Sequence, residues 1–180
     1  MLVEREKIEE FIKEYYENKD IMHNMWHIEL VRRTINKILK QTEYDVDKDL
    51  IETAMYFHGF IYLEEEKIRN WLQVNGVNEK EIEKVIQVSL ESQRTEKPKT
   101  LEGKILHDAH VLEGGANYTI VKTLITGSVR GQSLEETLDF MKENVLNKNK
   151  CYLPETIKMC DEMNKKTNEF YHELIEGISE

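Results

Sequence analysis

Apolar residues recur at helical spacing almost from one end of this chain to the other, and little interrupts them. Eight glycines and two prolines in 180 residues are too few to punctuate a set of strands and tight turns. Ile8, Phe11, Ile12 and Tyr15 share one stripe; Val31, Ile35 and Leu39 another; Leu50, Ile51, Ala54 and Met55 a third. The spacing predicts helices over 3–17, 22–40, 47–58, 64–74, 79–92, 104–112, 116–125, 134–146 and 154–175. Asn78 and Ser133, each followed three residues later by Glu, read as N-caps, and Pro154 suits a first helical turn. Residues 127–133 read as a loop, and the polar stretch 147–152 as an exposed connection. The fold class is therefore all-α: one helical bundle over residues 1–180, of roughly seven to nine helices.

Composition narrows the function classes. A formal net charge of -10 argues against a sequence-independent grip on nucleic acid or anionic lipid, which needs clustered Lys and Arg. Cys151 and Cys160 form no disulfide framework or zinc motif. No apolar run approaches the roughly 20 residues that span a bilayer. The expectation is a cytoplasmic protein with reduced thiols, and a homo-oligomer is compatible. Phosphate-loop and nucleophile-elbow motifs are absent.

Candidate chemistry centres on residues 104–116. That stretch puts Asp108 beside an apolar helical face and ends in Gly114-Gly115. A buried carboxylate must be paired, hydrogen-bonded or metal-bound. His27 and His58 lie on other apolar faces, and two imidazoles with a carboxylate from three helices are a common site for zinc, manganese or iron. A lone His on such a face is more often a hydrogen-bonded core residue, so spacing alone does not decide.

The order His27, then His58 in Tyr56-Phe57-His58-Gly59-Phe60-Ile61-Tyr62, then Asp108-Ala109-His110-Val111-Leu112-Glu113 resembles the HD superfamily of metal-dependent phosphohydrolases. The likeness covers about residues 20–130. It implies an all-α bundle and a divalent metal (Mn, Zn, Fe, Ni or Mg) held by His27, His58 and Asp108. It also implies catalytic roles for His58 and Asp108, and a nucleotide or other small phosphorylated substrate. Lys122 falls where related sequences often place a pocket-facing Arg, and Arg32 is a weaker candidate for the same role. The chain departs from the family pattern at three points, one of them a family His upstream of the final Asp that is replaced in Val88-Ser89-Leu90-Glu91. The His-Asp pair is His58-Gly59, and His110 stands where the final stretch carries its second acidic residue. Either His110, His107, His23 or a Glu of Glu64-Glu65-Glu66 completes the metal shell, or water fills the gap and leaves a weaker three-ligand site. The alternative is a degenerate, inactive HD-like protein that binds a small ligand or a protein partner.

Overall fold

The computed structural model describes residues 1–17 and 19–179. Among these residues it is all helical: α1 (Arg5–Tyr16), α2 (Met25–Gln41), α3 (Lys48–Phe57), α4 (Ile61–Val74), α5 (Glu79–Glu91), α6 (Leu101–Leu112), α7 (Gly115–Val129), α8 (Leu134–Asn144) and α9 (Pro154–Ser179). The stripes seen in the sequence are the buried faces. Ile8 and Ile12 of α1, Val31 and Ile35 of α2, and Ile51 and Ala54 of α3 meet in one core. At about 1.5–3 kcal/mol per fully buried large apolar side chain, that core is the main source of stability. Helix α6 runs through the middle and packs against α2, α3, α5 and α9. This is why it is buried nearly all round, over residues 105–109 without a break. A second cluster, with Ile120, Leu138, Met141 and Tyr171, joins α7 and α8 to α9.

Side-chain caps set most helix starts. The Asp47 carboxylate accepts from Leu50 N–H, Asn78 from Glu81 N–H and Thr100 from Gly103 N–H. Ser133 and Glu136 form a reciprocal capping box. Between α6 and α7 the chain turns through Gly114 and Gly115 at φ of +63° and +70°, where a side chain is strained.

Two connections differ from the expectation. Helix α7 does not stop at Ile125 but runs through Gly127 to Val129. Gly127 is buried, and a Cβ there would strike Thr137, so its missing side chain lets α8 approach. The 147–152 connection is not simply exposed either. Asn149 is buried, and the segment turns inward onto α6.

The break between α3 and α4 falls at Gly59. A Cβ there would lie 2.6 Å from the Tyr16 hydroxyl. The volume an aspartate would need after His58 is filled by a tyrosine from α1, whose hydroxyl donates to the Tyr56 carbonyl at 3.3 Å. Restoring the pair as Gly59→Asp is expected to lower stability by about 1–3 kcal/mol, the range for overpacking. The double variant Gly59→Asp/Tyr16→Phe should recover part of that loss in chemical denaturation. No recovery would mean that the hydroxyl is not the obstacle.

Candidate metal centre

Three imidazoles converge where α2, the end of α3 and α6 meet. His27, His58 and His110 each offer a nitrogen, and these atoms lie within 4.8 Å of one another. His27 and His58 are buried, whereas His110 is half-buried and also lines a cavity.

Their hydrogen bonds fix the tautomers. The Nδ1 of His58 lies 2.5 Å from the Met55 carbonyl and that of His110 lies 3.1 Å from the Ser92 carbonyl. The Nδ1 of His27 meets the Glu113 carboxylate. Carbonyls and carboxylates only accept, so each Nδ1 carries the hydrogen. Burial holds all three imidazoles well below their ordinary pKa. Neighbouring Lys122 adds to the effect at His27, His27 at His58, and His58 at His110. All three rings are therefore neutral, with lone pairs on Nε2.

That assignment leaves an unresolved repulsion. The Nε2 atoms of His27 and His58 are 2.8 Å apart, a hydrogen-bonding distance, with no hydrogen on either. Two lone pairs face each other, and a cation bound by both would turn repulsion into coordination. Histidine ligands tied at the far nitrogen to a carboxylate or carbonyl are the usual support of a metal site. The donor set thus fits a divalent ion that accepts imidazole, with zinc the simplest case.

Glu113 links this centre to the cavity. One carboxylate oxygen holds His27, and the other accepts from Lys122 Nζ at 2.5 Å. Lys122 lines the cavity. Glu113 stands three residues after His110, where the sequence suggests a hydrogen bond across one turn; as the residue that closes α6 it instead meets His27 and Lys122.

Asp108, expected as a ligand and catalytic group, is not brought together with His27 and His58. Its carboxylate points the other way and accepts from Tyr152 N–H, from Leu153 N–H at 2.8 Å and from the Thr156 hydroxyl at 2.6 Å. It also accepts from His107 Nδ1 at 3.1 Å. Those partners from 152 to 156 sit at the start of α9, where a negative charge meets the positive end of the helix dipole. At about 100° per residue, Asp108 and His110 lie about 200° apart on α6, so only one can face α2.

The other candidates are also spent elsewhere. His107 lies on the Asp108 side, edge-on to Tyr152. His23 lines the cavity, but its Nδ1 is held 2.9 Å from both Asp20 oxygens. Arg32 donates to Glu29 at 2.9 Å and to the Tyr56 hydroxyl, away from the cavity. Glu65, from the acidic run in α4, pairs with Arg69 at 2.8 Å.

A pH effect follows for the metal-free protein. Imidazoles depressed in the folded state stay neutral there, while the unfolded chain takes up protons near its ordinary value of about 6.5. Their contribution is complete above that value and is lost as pH falls through it. Each affected imidazole steepens the loss by up to about 1.4 kcal/mol per pH unit. The melting temperature without metal should therefore drop between about pH 7 and 5. The drop should be shallower in His58→Gln, and equal slopes in parent and variant would contradict the assignment.

No protein-family model matches the chain, and no curated protein sequence does. Solved structures do match. The crystal structure of Bacillus subtilis YpgQ in complex with ADP superposes with a TM-score of 0.74 at 16% identity, covering 97% of this chain and 98% of that one. The Lin1889 protein from Listeria innocua gives a TM-score of 0.69 at 21% identity, covering 98% of both chains. At these identities the likeness establishes a shared fold: an all-α, single-domain bundle along essentially its whole length.

Proposed function

We propose that this chain is a divalent-metal-dependent phosphohydrolase of the HD type, acting on a nucleotide or another small phosphate ester. One observation carries the reading: three neutral imidazoles, two buried and one half-buried, each bring a nitrogen within 4.8 Å of the others beside a cavity, with His27 and His58 facing each other through Nε2. The ligand set becomes His27, His58 and His110. His110 takes the part that the sequence resemblance assigns to Asp108.

A divalent ion held there supplies Lewis-acid chemistry, acidifying water and drawing charge from a phosphoryl oxygen. The residues of the chain do the rest. Glu113 fixes the His27 ring and holds Lys122 at the cavity wall. Lys122 then meets the phosphate as a positive point charge where negative charge develops. The buried flanks of His27 and His58 keep bulk water from the ligand side of the site. The crystal form of YpgQ with ADP supports a nucleotide among the ligands to test.

The packing of Tyr16 against Gly59 favours a second reading, in which the scaffold binds phosphorylated ligands without turning them over. Assay of the metal-loaded protein against nucleotides and simple phosphate esters separates the two. Metal-dependent release of phosphate or pyrophosphate supports the hydrolase. Tight ligand binding with no release, across manganese, zinc, iron, nickel and magnesium, supports the binding protein.

A further inference from the structure

The cavity beside His110 holds polar groups that the metal centre leaves unused. Its volume is about 220 Å³, and Arg94, Lys122 and Arg130 line it with Glu113 as the carboxylate among them. Three cationic side chains around one carboxylate make a positive pocket on a chain whose net charge is -10.

The end formed by Arg94, Asn149, Thr126 and Arg130 has the marks of a built site. Arg94 reaches from the loop after α5 and donates to Asn149 Oδ1 at 2.8 Å. Guanidinium only donates, so this contact fixes the amide: Oδ1 faces Arg94 and Nδ2 faces elsewhere. That Nδ2 is buried without a hydrogen-bond partner, in a residue only 6% exposed that lines the cavity. The Thr126 hydroxyl, also on the lining, is a second buried group with no partner. A buried polar group left unpaired is destabilising, so two on one wall call for a ligand that accepts hydrogen bonds. Arg94 is bonded to a neutral amide rather than a carboxylate, so its charge is not cancelled there. Arg130 is placed by the end of α7, where Gly131 at φ +76° turns the chain and Gln132 N–H returns to the Gly127 carbonyl.

We infer that Arg94, Arg130, Asn149 Nδ2 and the Thr126 hydroxyl form a second anion subsite, which takes a further phosphoryl group of a ligand whose first phosphoryl faces His110 and Lys122. Placement of the first group rests on the proposed function; the subsite itself does not. The ligand class is a compound carrying a diphosphate or longer phosphate chain, not a lone monoester. Size agrees: whole organic ligands occupy pockets of about 300–1,000 Å³, so this smaller cavity suits a phosphate chain with the remainder outside.

Titration calorimetry on the full chain after chelator treatment, with inorganic pyrophosphate and orthophosphate as probes at low salt, tests this. Pyrophosphate is expected to bind roughly tenfold or more tightly than orthophosphate, since it gains charge-assisted hydrogen bonds to the guanidinium groups. Arg94→Gln and Arg130→Gln should each remove most of that preference while melting temperature and metal content stay unchanged. Asn149→Asp, which keeps a partner for Arg94 but replaces the donor by a carboxylate, should abolish it. No preference in the parent, or a preference kept in all three variants, overturns the subsite. If the preference is present but the loaded protein hydrolyses nothing, the subsite stands and the hydrolase reading falls. If the loaded protein hydrolyses phosphate esters but shows no preference, the hydrolase reading stands and the subsite falls.

Discussion

Replacing Asp108 by alanine is expected to cost about 3–5 kcal/mol of folding stability, a larger loss than most single substitutions cause. The carboxylate is wholly buried and accepts from two backbone N–H groups, a threonine hydroxyl and an imidazole. Its removal strands the two backbone N–H groups and the imidazole at the junction of α6 and α9, whereas the Thr156 hydroxyl can turn to the Leu153 carbonyl at 2.9 Å. For a chain of this size the melting temperature should fall by roughly 10 °C. Asp108→Asn keeps one acceptor oxygen and should lose about half as much. Metal affinity of the folded Asp108→Asn protein, measured well below its transition, should match the parent. Loss of metal with unchanged stability would reverse these roles and return Asp108 to the metal shell.

Replacing His110 by alanine should do the opposite. Stability of the metal-free protein should change little, because relief of one desolvated imidazole is set against loss of its hydrogen bond to the Ser92 carbonyl. Metal affinity should fall by well over 100-fold, beyond the roughly 10–100-fold expected when only a supporting residue is lost. Any metal-dependent hydrolysis should disappear with it. Elemental analysis of parent and variant after dialysis reads the difference. Equal metal content in the two proteins would remove His110 from the ligand set.

These two substitutions sit two residues apart, and they mark where the sequence can be read and where it cannot. The helices are legible because their stripes are regular: Val31 and Ile35, or Ile51 and Ala54, have no alternative as a strand. His27 and His58 stand out as polar residues on those same stripes. On α6 periodicity fails for a physical reason. Neighbours cover the helix on nearly every side, so it has no dry and wet faces, and spacing cannot tell which side Asp108 or His110 occupies. The cost of burying charge identifies Asp108 as a paired group. It does not distinguish a metal from the start of α9, 44 residues further on, as the partner. The Tyr16 hydroxyl against Gly59 joins α1 to a turn about 40 residues away, a relation no local pattern contains. Arg94, Arg130 and Asn149 are invisible in the sequence for a similar reason. They come from a loop, a helix end and a connection that reads as polar and exposed, and only the fold gathers them around one cavity.

Everything proposed for the chemistry depends on an ion held by His27, His58 and His110. Anomalous diffraction from crystals grown with zinc or manganese would locate that ion. The expected result is one strong peak about 2.0–2.2 Å from the Nε2 atoms of all three rings, with Asp108 still bonded to the start of α9. A peak on Asp108, or none near the three histidines at saturating metal, would contradict it.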